Sequence, residues 1–351
     1  MGPYNSTRAD RLARGKDSRV ALRIAAAFLA LGFGALAKAE SSAAVIGQIA
    51  NQFEEHPLIV IGELHRWEQL HAFLREMIRN PEFVCRADDI VVEFGNSRLQ
   101  GLADKFAAGE KLSETELQSL WRETSVPLTW NSPVYREFYE TVREINQRHL
   151  CSHSIRIVLA DSPLDWSKIK SAKDYAPWAD RDASYAAVVE REVLSKHHRA
   201  LLVAGQFHVV KQTPEGDTDG VRAAQLIERK HPGALFSIVA APRAVAEAIH
   251  LSPAPSFKIV RGSELENADF ALIATMNPHK KWPPMGDVVD GVLYVGDQTF
   301  LYPPPAIYLD PDYQRELRRR AAIIREYNGQ DFMPAIDDLV REASKAREQK
   351  P

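Results

Sequence analysis

The chain has 351 residues, 45% of them hydrophobic and 26% charged, with a formal net charge of −3. These values are ordinary for a globular protein of one or two domains with a sizeable core, and they exclude a disordered or fibrous chain. The small negative charge gives no global reason to expect a nucleic-acid partner.

Residues 1–39 read as a secretory signal. Arg8, Arg11, Arg14, Lys16 and Arg19 form a basic start, Ile24 to Ala37 is apolar, and Ala37-Lys38-Ala39 offers a small-residue cleavage site before Glu40. The apolar run is shorter than the roughly 18–20 residues that a spanning helix needs, and no later run is long enough. A periplasmic or secreted protein is expected, with no stable membrane span after cleavage. Export would permit a bridge between the two cysteines, Cys85 and Cys151. They precede two strand-like runs, Ile90-Val91-Val92 and Ile155–Leu159, so both fall near the amino edge of a parallel sheet. A bridge and two free buried thiols both fit that placement.

From Glu40 the chain alternates helix and strand. Ser42 to His56 has an amphipathic helical spacing and ends at Pro57. Leu58-Ile59-Val60-Ile61 is a continuous apolar run, as in a strand buried on both faces, and Gly62 would let the chain turn sharply into Glu63-Leu64-His65. Arg66 to Asn80 is helical, and Asp89 to Phe94 is the second strand. Residues 96–150 read as a helical insertion, with Ser113 and Glu116 forming a capping box and Ser132-Pro133 opening a longer helix. Ile155 to Ala160 is the third strand, 164–176 a loop, Trp178 to Lys196 helical, Ala200 to Ala204 the fourth strand, Gly220 to Lys230 helical and Ala234 to Ala240 the fifth strand. Short strands are expected at Phe257–Val260, Phe270–Ala274 and Gly291–Val295, followed by charged helices at Asp310–Tyr327 and Phe332–Lys350. Arg318-Arg319-Arg320 reads as a solvated face balanced by Glu316 and Glu326. The expected fold is α/β, a mostly parallel central sheet flanked by helices. The expected organisation is a signal over 1–39, one α/β domain over 40–308 that contains the insertion, and charged C-terminal helices over 309–351.

The chemistry gathers where the strands end. The first ends in Gly62-Glu63-Leu64-His65, the second in Glu93-Phe94-Gly95-Asn96, the third in Asp161-Ser162 and the fourth in Gly205-Gln206-Phe207-His208. In a parallel sheet these ends share the carboxyl edge, where ligands bind. A single strand-end histidine is more often structural, and Asp-Ser-Pro is also an ordinary turn. Clustered ionisable groups cost desolvation and repulsion, so Glu63, His65, Glu93 and His208 together point to function. Arg181 is placed to hold these carboxylates ionised, and Asp182 to cap its helix.

Three uses of this cluster are open. In a hydrolase, His65 is the general base on water, Glu63 or Glu93 orients it, and His208 with Arg181 stabilises the oxyanion. No Gly-x-Ser-x-Gly elbow is present, so no serine nucleophile is indicated. As a metal site, Glu63, His65, Glu93 and His208 are the ligand set for zinc, manganese or iron. As a haem-binding pocket, His71 and Tyr135 are the cofactor-binding candidates, with Trp121, Trp130 and Tyr139 as apolar lining; packing in the core explains the same aromatics. All three imply a small-molecule ligand or substrate.

Gly62-Glu63-x-His65, Glu93, Arg181-Asp182 and Gly205-x-x-His208, in this order and each placed after a strand or at a helix start, resemble the erythromycin esterase/ChaN-like superfamily, which includes the TraB and Tiki proteins. The resemblance covers roughly residues 55 to 245, and Asp290 to Gly296 is similar to the closing strand of esterase-like members. It implies hydrolysis by a histidine-activated water in the esterase branch, metal-dependent peptide cleavage in the Tiki branch, and haem binding by an exported protein in the ChaN branch. Glu63 after the glycine departs from the Tiki pattern.

Overall fold

The computed structural model describes residues 40–218, 220–274 and 279–348, so the expected signal segment lies outside the described residues. Seven strands form one sheet in the order β3-β2-β4-β1-β5-β7-β6. They are β1 (Leu58–Glu63), β2 (Asp89–Asn96), β3 (Arg156–Asp161), β4 (Ala200–Gly205), β5 (Leu235–Ala240), β6 (Ser256–Ile259) and β7 (Gly291–Tyr294). All neighbours are parallel except β6, which runs antiparallel to β7 at the edge. The mostly parallel α/β sheet expected from the alternation is the fold observed.

Every residue of β1, β2 and β4 is buried, which explains their continuous apolar runs: helices cover both faces of the sheet. Numbering the longer helices in chain order, α1 (Ser42–Asn51), α2 (Glu68–Arg79), α3 (Gln100–Ala107), α4 (Glu114–Arg122) and α5 (Pro133–Gln147) share one apolar layer with Ile59, Ile61, Ile90 and Val92. The helices α6 (Arg181–Glu192) and α7 (Ala223–Lys230) share the other with Leu58, Val60, Val91 and Leu202. Local chemistry sets the helix starts. Ser113 and Glu116 make the expected capping box on α4, and the Ser132 side chain accepts from Val134 N at the start of α5.

Three expectations change. Phe270–Ala274 is not a strand: Phe270–Leu272 is one 3₁₀ turn, capped by Asp269 and anchored by Phe270 against Trp282 at 4.9 Å. A five-residue apolar run carries no period of its own, and here a local cap and an aromatic contact decide its form. The Arg318-Arg319-Arg320 run is not simply a solvated face. On α8 (Pro311–Asn328), Arg319 donates to the carbonyls of Ile169 (2.6 Å) and Trp166 (2.8 Å). Arg320 is only 4% exposed, donates to Arg122 O at 2.6 Å and Glu123 at 2.7 Å, and lies 4.9 Å from the Trp166 ring. Its charge is buried because a carboxylate, a carbonyl and an aromatic face receive it. Finally, of the two readings of Trp121, Trp130, Tyr135 and Tyr139, core packing is the one observed: all four are buried in the apolar layer that contains α5.

Cys85 and Cys151 are bonded, closing a separation of 66 residues at the amino edge. Loop-closure entropy values such a bridge at about 4 kcal/mol. Reduction, or a double Cys85→Ser/Cys151→Ser replacement, is expected to lower unfolding free energy by about that amount. Denaturant titration with and without reductant checks this, and coincident curves would show the bridge to be without effect.

Candidate active site

Three adjacent strands, β2, β4 and β1, set the site. Glu63 is the last residue of β1 and pairs in register with Gly205, the last of β4. Glu93 lies one residue beyond Val92, the position at which β2 still pairs with β4. Both glutamates are 1% exposed, and each is surrounded by donors.

Glu63 Oε1 accepts from His65 Nδ1 at 3.1 Å and from the Tyr135 hydroxyl at 3.3 Å. Its Oε2 accepts from His71 Nε2. Burial alone would raise the Glu63 pKa, but the two histidines outweigh it and hold the carboxyl down at about 2. Because an ionised carboxylate only accepts, the neutral form of His65 is the tautomer with its proton on Nδ1 and the lone pair on Nε2. The His65 side chain is 19% exposed, and its ring sits edge-on to Trp130 at 4.6 Å.

Glu93 Oε1 accepts from Arg181 Nη1 at 2.9 Å and faces His208 Nε2 at 3.4 Å. Its Oε2 accepts from the Gly205 backbone N–H. Against the cost of burial, His208, His65 and Arg181 hold Glu93 well below the usual carboxylate range. Arg181 is the first residue of α6, and the cap of that helix is Asp180, which accepts from Ala183 N. Asp182, expected as the cap, instead accepts at Oδ1 from His208 Nδ1 and from Ala223 N, both at 2.7 Å. Burial works against a charged His208, but Asp182 and Glu93 outweigh it and raise its pKa to about 9. His208 is therefore an imidazolium at neutral pH, with one N–H on each carboxylate.

Two glycines shape this edge by close approach. A Cβ at Gly205 would stand 2.9 Å from His65 Cε1, 3.3 Å from Glu93 Oε2 and 3.4 Å from His65 Nε2. The bare backbone of Gly205 is thus the floor over which the base and Glu93 meet. A Cβ at Gly62 would stand 2.6 Å from Val209 Cγ2 and 3.0 Å from Gln206 Cα. Gly62 is required for that packing and not for the sharp turn expected of it; the left-handed residue of the turn is Arg66, at φ 71°.

The structure brings Glu63, His65, Glu93, His208 and Arg181 together. Asp161 ends β3 nearby, but its oxygens are taken by Ser125 N at 2.5 Å and Ser125 Oγ at 2.8 Å, and burial raises its pKa to about 6. His71 and Tyr135 are completely buried and hold Glu63. His71 Nδ1 has no partner and lies among the rings of Tyr135, Phe94 and Phe138, so neither residue offers an atom to a ligand the size of haem. A metal fits no better. Among the described residues no three His, Cys, Asp or Glu side chains are grouped to hold an ion. The expected set of Glu63, His65, Glu93 and His208 fails because both carboxylates already accept from N–H and O–H donors. A guanidinium also stands on Glu93 where a cation would bind.

An open groove of about 470 Å³ runs beside this cluster, lined by Ser97, Ser162, Trp178, Asp180, Ser184 and Arg191 among others. It contains none of the charged pairs, yet shares the first turn of α6 with Arg181.

No family model and no curated protein matches the sequence. Several solved structures match its fold. A Bacillus cereus protein aligns at 10% identity and TM-score 0.53, over 75% of this chain and 93% of its own. A succinoglycan biosynthesis protein aligns at 8% identity and TM-score 0.52, over 73% and 91%. A mutant of the erythromycin esterase EreC in its open conformation aligns at 10% identity and TM-score 0.50, over 72% and 93%. At these identities the likeness is one of fold alone: the chain shares the fold of these proteins, the erythromycin esterase among them.

Proposed function

We infer that this chain is an exported hydrolase in which His65 activates water for attack on a carbonyl. The observation that carries the reading is the Glu63–His65 pair. An ionised, donor-saturated carboxylate fixes the His65 proton on Nδ1, and Nε2 is left over the bare Gly205 backbone, where it meets Glu93, the carboxylate that carries Arg181 and His208. This is the arrangement a general base requires, with an orienting acceptor behind it and stabilisers in front. His65 Nε2 takes a proton as the water oxygen bonds to the carbonyl carbon. The carbonyl electron pair moves to oxygen, where the charge of His208 and Arg181 stabilises it. Collapse expels the leaving group, which takes its proton from His65. Glu93 spaces the two cations and keeps them from repelling each other apart.

The Cys85–Cys151 bridge supports an oxidising compartment, in keeping with the basic, apolar and Ala-Lys-Ala pattern at the N-terminus. Among the described residues no helix is long and apolar enough to cross a membrane.

Haem binding is the competing reading, and one pair of measurements separates the two. The purified chain is incubated with a panel of chromogenic carboxylic esters and amides, with chelator present, and titrated in parallel with haemin. Ester turnover without a saturable Soret shift is expected. A one-equivalent Soret shift with no turnover of any panel member would replace the hydrolase reading with the binding one.

A further inference from the structure

Arg66 stands at this edge and the water-activation scheme does not use it. It follows His65 directly, in a left-handed backbone conformation at φ 71°, a geometry costly for a residue with a side chain and found disproportionately at functional sites. The turn is held there from both sides. Arg66 N donates to the Tyr135 hydroxyl at 3.1 Å, and Arg66 O accepts from Leu301 N at 2.9 Å. The hydroxyl of Tyr135 also touches the Glu63 oxygen that orients His65.

The side chain is treated differently from every other cation around the site. Arg181 is paired with Glu93, His208 with Asp182, and Arg122 donates to Asn131. Arg66 has no ion pair among the described residues, and its Nε is buried without a hydrogen-bond partner. Its guanidinium stands 5.0 Å from the ring centroid of Tyr302, and its charge reaches the hydroxyls of Tyr135 and Tyr308. Tyr302 is 57% exposed and Phe300 39% exposed. Both lie on the segment that crosses the His65–Trp67 turn through the Trp67–Phe300 bridge and the bond from Ser132 Oγ to Leu301 O. A half-buried guanidinium with an unsatisfied donor, fixed by its backbone beside the base and flanked by open aromatic rings, presents a donor fork of the kind that fits an oxyanion.

We propose that Arg66 and Tyr302 form a subsite for an anionic group, a carboxylate or phosphate, next to the reacting carbonyl, so that the preferred substrates are acidic and carry an apolar or aromatic portion. Arg66 supplies the planar donor pair, and Tyr302 the face on which the apolar portion rests. Assigning the anion to the substrate of His65 rests on the hydrolase reading; the anion subsite itself does not.

The test uses binding, so it stands apart from turnover. The intact chain is titrated calorimetrically with benzoate, phenyl phosphate and the neutral isostere benzamide, and the titrations are repeated with Arg66→Gln and Arg66→Lys. A charge-assisted contact is worth about a tenfold preference for an anion over benzamide. That preference should vanish in Arg66→Gln and partly survive in Arg66→Lys. A preference for benzoate alone identifies a carboxylate, and one for phenyl phosphate alone a phosphate. Equal affinity for all three ligands in the wild-type chain overturns the proposal, as does a preference unchanged in Arg66→Gln. A purely structural role for Arg66 would weaken benzoate and benzamide alike, and that outcome also overturns it. Arg66-dependent anion binding in a chain that turns over no ester would leave the subsite standing and remove the hydrolase reading.

Discussion

His65→Ala should lower kcat/KM on any ester the protein hydrolyses by about a hundredfold to ten-thousandfold, the range general-base catalysis supplies, while leaving the folded state intact. The two halves of this expectation have separate causes. His65 is partly exposed and lies beyond the end of β1, so its loss opens no sealed core cavity. Glu63 keeps His71 and Tyr135 as donors, so its buried charge stays satisfied when the third donor is removed. The water, by contrast, loses the Nε2 lone pair that Glu63 orients over Gly205. Added imidazole should restore part of the rate to His65→Ala, because the space above Gly205 that the ring occupied is then free for a small base. The decisive measurement is turnover of wild type and variant at matched folded fraction, with and without imidazole. Wild-type turnover in His65→Ala would end the role assigned to this residue.

The parts of this site that could be read from sequence are those carried by strand ends. Continuous apolar runs before Glu63, Glu93 and Gly205 marked buried parallel strands, and parallel strands put their ends on one edge whatever the order of the sheet. The cluster of Glu63, His65, Glu93 and His208 followed from that geometry, without knowledge that β4 lies between β1 and β2. Arg181 was legible as a charge at a helix start near the same edge. The pairings were not legible. His208 finds Asp182 across 26 residues and Tyr135 finds Glu63 across 72, and no local pattern encodes either distance. Asp182 read as a cap because position and residue type favour it, while Asp180, two residues earlier, performs that task. His71 and Tyr135 read as a haem pocket because aromatics at helical spacing look the same whether they face a ligand or a core. Burial, visible only in three dimensions, directs both at Glu63. The metal reading failed for a similar reason. Residue types gave the ligand set, but hydrogen-bond donors already occupy the carboxylates. The role of Gly62 was misjudged because a close approach by Val209 and Gln206 leaves no local signature, whereas a glycine before a turn does.

Asp182→Asn carries the second large effect, and its sign follows from the charge it removes. In the folded chain the His208 pKa is raised from 6.5 to about 9; burial opposes the cation, and Asp182 and then Glu93 overcome it. A group whose folded pKa is raised contributes stability in full below its unfolded value, and that contribution is lost as pH rises through the folded value. The wild-type chain should therefore lose stability from this group between about pH 6.5 and 9. Asparagine keeps an oxygen for Ala223 N, so the junction between α6 and α7 is preserved, but it withdraws the nearest negative charge from the imidazolium. The His208 pKa then falls toward its ordinary value. The stability difference between wild type and variant should be widest near pH 6 and close by about pH 9. The rate profile should move in parallel. If the His208 cation stabilises the oxyanion, the alkaline limb of kcat falls from about pH 9 toward neutrality, and the drop in kcat grows from a few-fold just above pH 7 to about a hundredfold near pH 9, as when one such stabiliser is removed. Thermal unfolding and initial rates across pH 5 to 10 measure both effects on the same preparations. An alkaline limb that stays in place in Asp182→Asn would mean that the charge of His208 plays no part in the chemistry, leaving Arg181 as the sole positive partner of the oxyanion.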